Sequence, residues 1–188
     1  MIEPLEIIGH FYPEDTPLRH LLLKHSMQVR DKALSIMKAM PNQGAVIDEG
    51  IVRNGAMLHD IGIMQCHAPK ILCMGEKPYI SHGVCGAEML RAYGRDNGVD
   101  LEAYARICER HTGSGITADE IVAARMPLPV RDYLPETMEE KLVCLADKFF
   151  SKSGDMKEES PEQVRAELSR FGEGSLSRFN EMMAHFGL

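Results

Sequence analysis

The stretch Leu58-His59-Asp60-Ile61-Gly62 decides how this chain is read. A histidine and an aspartate stand side by side, between an apolar run and a glycine suited to end a helix. Imidazole nitrogen and carboxylate oxygen both ligate Zn, Fe, Mn and similar divalent ions. Neighbours on a helix point about 100° apart, so the two side chains reach one ion only where the helix ends.

Outward from that pair the pattern is helical. A helix from about Asp48 to Asp60 turns Ile51, Gly55 and Leu58 inward. Before it, Thr16-Pro17 opens a long helix with the stripe Leu18, Leu22, Val29, Ala33, Ile36 and Met40, stopped by Pro41-Asn42-Gln43-Gly44. After it, residues 63–80 read as irregular, Ser81 as the cap of a helix to about Gly94, and Asp100 to Thr112 as a further helix. Thr117-Ala118-Asp119-Glu120 and Thr137-Met138-Glu139-Glu140 read as capping boxes. The second opens a helix carrying Leu142, Val143, Leu145, Ala146, Phe149 and Phe150. Ser151–Glu159 reads as a charged surface loop, and two helices follow within 160–186, separated by Gly172-Glu173-Gly174. The expected fold is an all-α bundle forming one domain over residues 1–188, with its metal-site core at about 18–150.

Five polar residues fall where apolar ones belong: His25, His59, Asp60, His111 and Asp147. A buried ionised aspartate costs several kcal/mol unless it is paired or binds metal. Singly, His25 reads equally as a hydrogen-bonded core histidine, Asp147 as the partner of a cation, and His82 as a capping residue. Together, on separate helices, the five read as one metal site.

These residues carry a resemblance. His25…His59-Asp60…Asp147 resembles the defining pattern of the HD-domain metal-dependent phosphohydrolase superfamily, and Leu58–Gly62 is similar to its HDIG form. Ser81–Leu90, Glu109–Thr117 and Asp132–Lys141 resemble an uncharacterised HDIG-containing subfamily. The resemblance implies two divalent transition metals (Fe, Mn, Zn or Co). His25, His59 and Asp147 would hold one, His82 and His111 the other, with Asp60 bridging. His59 and Asp60 would be the catalytic pair, and a metal-activated hydroxide would attack a phosphoester or phosphoanhydride of a small nucleotide-like molecule. The superfamily's cyclic-dinucleotide phosphodiesterases carry a His-His pair where this chain has His111-Thr112. Its diadenosine-polyphosphate hydrolases share the single histidine. Mixed-valence diiron oxygenases of the superfamily use the same six ligands, and a non-catalytic nucleotide-binding module would keep some of them. Cations near the ligands in sequence, Arg53, Lys70, Arg110 and Lys148, are candidate phosphate contacts.

Bulk properties narrow the field. The 188 residues suffice for one core. A net charge of -7 argues against a nucleic-acid polymer or an anionic membrane as partner. No apolar run nears the roughly 20 residues that span a bilayer. Five cysteines among apolar residues, with no secretory signal at Met1-Ile2-Glu3-Pro4, read as free thiols of a cytoplasmic protein. Cys66, His67 and Cys73 make a weak alternative zinc set, and the oligomeric state is unreadable.

Overall fold

A computed structural model describes residues 3–40 and 47–188. Nine helices lie among them: α1 (Pro4–Phe11), α2 (Pro17–Ala39), α3 (Glu49–Leu58), α4 (His82–Asn97), α5 (Glu102–Arg110), α6 (Ala118–Ala123), α7 (Met138–Asp147), α8 (Pro161–Leu168) and α9 (Glu173–His185). The expected stop at Pro41–Gly44 lies outside the described residues.

Helix starts follow their caps. Thr16 Oγ1 accepts from Arg19 N, and Asp48 Oδ1 accepts from Gly50 N and Ile51 N. Reciprocal capping boxes form at Thr117/Glu120, Thr137/Glu140 and Ser160/Gln163. Ser81 is a correction. Its hydroxyl donates to Pro127 O and caps nothing. The helix it precedes runs on past Gly94 to Asn97 and stops at Gly98, whose φ of 65° is the left-handed conformation glycine adopts without steric cost.

The all-α expectation also needs correction. Within 63–80 stand β1 (Cys66–Ala68), β2 (Cys73–Met74) and β3 (Lys77–Pro78), in the order β2-β1-β3. β1 runs antiparallel to β2, with His67 opposite Met74, and parallel to β3, with Cys66 opposite Lys77. Strands of two or three residues are too short to show an alternation in sequence. Helix α1 was also missed, because eight residues offer too few turns for a periodicity. It is fastened from the core side: Ile7 and Ile8 are buried, and Tyr12 Oη donates to Ile61 O at 2.7 Å.

Two large apolar clusters, with a small third one at Ile116, Ile121 and Tyr133, form the core. One joins α2, α3, α7, α8 and α9 through Val29, Val52, Leu142, Leu145, Val164 and Phe179. The other joins α1, the start of α2, the end of α3, α4 and α5 through Ile8, Leu22, Leu58, Leu90 and Ala105. His25 sits on α2 between Leu22 of the second cluster and Val29 of the first. The buried polar residues thus occupy the seam between the clusters, where helix ends meet.

Candidate metal centre

Six side chains from five places in the chain converge at that seam. His25, from the middle of α2, places Nε2 2.9 Å from Asp147 Oδ1, at the last residue of α7. His59 ends α3, and its Nε2 lies 3.3 Å from His25 Nε2 and from Asp147 Oδ1. Asp60 opens a 3-10 turn over Ile61–Gln65, with φ -104° and ψ 9°. This break in the helix lets adjacent His59 and Asp60 turn toward one point. Asp60 Oδ2 faces His25 and His59, each at 3.3 Å. Its other oxygen, Oδ1, faces His82 Nε2 and His111 Nε2, each at 3.4 Å. Those two histidines stand at the start of α4 and the end of α5, with Nε2 atoms 2.9 Å apart. Two metal-competent groups therefore exist among the described residues, His25/His59/Asp60/Asp147 and Asp60/His82/His111, sharing Asp60. Cys66, His67 and Cys73 form no such group.

Ring tautomers show what the groups fit. His59, His82 and His111 each place Nδ1 2.7 Å from the carbonyl three residues earlier, that of Ala56, Tyr79 or Cys108. A carbonyl only accepts, so each Nδ1 carries a proton, and each ring in its neutral form keeps the Nε2 lone pair. Those lone pairs point at one another and at the carboxylates. Both oxygens of Asp60 are fully buried without a well-directed hydrogen bond, and so is His25 Nδ1. Converging lone pairs, and an Asp60 carboxylate whose Oδ1 meets two imidazole nitrogens and no cationic side chain, call for cations in this buried seam. A nitrogen and oxygen donor set without thiolate suits Fe, Mn, Zn or Co.

Electrostatics agree. Burial alone would raise the Asp60 carboxyl, but the Lys152 ammonium and His59 outweigh it and hold the group well below the usual carboxylate range. Asp147 is held down in the same way by Lys148 and Lys152. Burial pushes His82 down to about 3, aided by His111, and His25 down to about 4, aided by Lys152. His59 is the exception: burial opposes protonation, yet the charges of Asp60 and Asp147 prevail and lift it to about 9.

The candidate phosphate cations divide. Lys148 Nζ lies 2.8 Å from Asp147 Oδ2 and lines a cavity of about 750 Å³ that opens onto His82, His111 and Asp147. Arg110 is drawn away by Leu134 O at 2.9 Å and Glu136 at 2.8 Å. Lys70 is exposed outside the cavity, which takes in Ile71 instead, and Arg53 is exposed and pairs with Glu49 on its own helix. Sequence reading missed Lys152. The segment expected to be a surface loop folds over the site. Gln28 Nε2 donates to Met156 O, and Lys152 Nζ, 11% exposed, lies 2.6 Å from Asp60 Oδ2. No periodicity marks a loop lysine; only the short link from the end of α7 bounds where it can reach.

The family model for the HD domain matches residues 22–151. The chain belongs to the HD domain family. Uncharacterized protein MJ0778 of Methanocaldococcus jannaschii is 41% identical over 128 residues, 68% of this chain and 65% of that protein. The tRNA (cytidine(56)-2'-O)-methyltransferase of Picrophilus torridus is 37% identical over 131 residues, 70% of this chain. This chain spans only 32% of the methyltransferase's length. In fold it is similar to the HD domain of the Listeria monocytogenes phosphodiesterase PgpH in complex with cyclic-di-AMP. That likeness has a TM-score of 0.50 and 16% identity, and covers 96% of this chain and 92% of that one. No described helix is long and apolar enough to cross a membrane.

Proposed function

We propose that this protein is a metal-dependent hydrolase of phosphoester or phosphoanhydride bonds in a small, nucleotide-like molecule. The observation that carries the reading is the shared carboxylate. Asp60 offers one oxygen to His25 and His59 and the other to His82 and His111, a donor set for two adjacent ions. Divalent ions held there supply Lewis acidity toward a phosphoryl oxygen and lower the pKa of water beside it.

The chain's own residues do the rest. Lys148 and Lys152 line the cavity beside the histidines, placing two ammonium groups where a phosphoryl group would meet the site. Both lysines are held protonated: burial opposes this, and the carboxylates they pair with outweigh it. Tyr79 stacks its ring on His82, at 4.6 Å between centroids, and fixes that imidazole's plane. The PgpH relative binds a cyclic dinucleotide, so nucleotides are the first substrates to try. The methyltransferase's activity is not carried over, since this chain spans about a third of that protein.

The test is elemental analysis of anaerobically purified protein, paired with a panel of phosphomonoesters, phosphodiesters and phosphoanhydrides. Two metals per chain, phosphate release without O2, and loss of one metal in His82→Ala or His111→Ala are expected. Product formed only with iron and O2 would replace the hydrolase with an oxygenase. Metal-free protein indifferent to His59→Ala would end both readings.

A further inference from the structure

The cavity that opens onto the histidines carries buried positive charge and more exposed negative charge. Its floor carries Lys148 and Lys152, 13% and 11% exposed. Its walls are apolar: Ile116 and Met126 before α7, Val164 and Leu168 from α8. Its more exposed lining includes Phe171, 72% exposed, the exposed Glu167 and the half-buried Glu159. Glu120, also on the lining, is neutralised by Arg178 at 2.9 Å. Glu159 and Glu167 have no cation within ion-pair reach among the described residues. Burial and the charge of Glu167 raise the Glu159 carboxyl, the mark of two acids that lack a counter-charge.

About 750 Å³ holds a molecule of drug or nucleotide size. Such a molecule, with its phosphoryl group at the lysines, extends past the apolar walls to the two carboxylates. We infer that Glu159 and Glu167 set specificity: the site takes phosphoryl compounds with an apolar body that is neutral or cationic, and hydrogen-bond donating, at its far end. It rejects compounds that carry a second anionic group there. This rests on the phosphohydrolase reading of the His/Asp cluster and narrows it, since a nucleobase or an amine meets the description and a terminal polyphosphate does not.

Binding tests this apart from catalysis. Three benzylphosphonates, whose P–C bond leaves a phosphoester hydrolase nothing to cut, bear a para aminomethyl, methyl or carboxymethyl group. Their dissociation constants are measured by calorimetry on Mn²⁺-loaded protein. The aminomethyl compound should bind tightest and the carboxymethyl compound weakest, with steps of about fivefold at low salt, the scale of partly exposed charge pairs. The double variant Glu159→Gln/Glu167→Gln, altering one half-buried and one exposed side chain, should compress the order to within about twofold. An order indifferent to the tail in the native protein, an order retained in the double variant, or no binding of any of the three would each overturn the inference. The phosphate-release panel tests the hydrolase reading separately. Release of phosphate alongside a flat binding order would leave that reading standing and remove this one.

Discussion

Lys152 and the five thiols carry the consequences visible at single residues. Removing one partner of a buried charge pair strands the other, at a cost of about 3–5 kcal/mol. Asp60 is that partner here, fully buried 2.6 Å from the Lys152 ammonium. Lys152→Met should therefore destabilise chelator-treated protein by about 3 kcal/mol. An ion beside Asp60 supplies the missing positive charge, so metal-loaded Lys152→Met should lose much less. Urea unfolding of both forms checks this, and an equal loss in the two would separate Lys152 from the ion site. The thiols all lie buried and unbridged. Burial pushes Cys66 and Cys144 up to about 12 and Cys73 up to about 11, and it raises Cys108 strongly. Since the thiolate is the nucleophile, iodoacetamide at pH 8 should label native protein far more slowly than urea-unfolded protein, where all five react. Mass spectrometry at timed quenches reads the difference. His25, His59 and His111 were legible because each stands where an apolar residue belongs; His82, at a helix start, was reached only through the family resemblance. Lys152 was not legible, because nothing in a loop's composition tells where its side chains end.

The donors stand mostly where elements stop, and the stops orient them. A helix leaves its last carbonyls without intrahelical partners. The carbonyls of Ala56 and Cys108, at the ends of α3 and α5, take the Nδ1–H of the histidine that follows. The Tyr79 carbonyl does the same for His82 from a 3-10 turn. One glycine holds two of these ends together. A Cβ on Gly62 would stand 2.2 Å from His82 O and 2.3 Å from Gly86 N, so the turn after Asp60 rests directly on the backbone of α4. Gly62→Ala should push the two apart, cost about 1–3 kcal/mol, and loosen the ion held by Asp60, His82 and His111. Metal analysis of the refolded variant checks this; a full complement of two ions would refute it. Gly62 was expected to stop the helix, but α3 ends at Leu58 and Gly62 lies inside the 3-10 turn that follows; its real constraint is the contact with α4, which no local pattern encodes. The same limit explains Ser81. Its type suits a cap, but the carbonyl of Pro127, from a distant loop, claims its hydroxyl.

Across the whole molecule the polar seam divides two apolar clusters, and an ion bound there would add to what holds them together. A ligand that binds only the folded state stabilises it by RT ln(1 + [L]/Kd), about 2.7 kcal/mol at a hundredfold excess over Kd. Chelation should lower the melting temperature, and Mn²⁺ or Zn²⁺ should restore it in a concentration-dependent way. A melting temperature indifferent to both would mean that the seam holds no ion. Helix content and the joining of His25, His59, Asp60, His111 and Asp147 were readable from spacing and burial cost alone. The three short strands and the cavity's opposed charges were not, since they depend on segments far apart in sequence meeting in space.

One spacing has a consequence in time. His25 and Asp147, 2.9 Å apart in the fold, are separated by 122 positions in the chain. As the protein emerges from the ribosome, His25 is made early and Asp147 last of the six donors. Until α7 has been made and docked, no ion can find its four-donor site, and a nascent chain halted before α7 offers at most the group on Asp60, His82 and His111. Occupancy of both groups would therefore report that the polypeptide has been made and folded through residue 147.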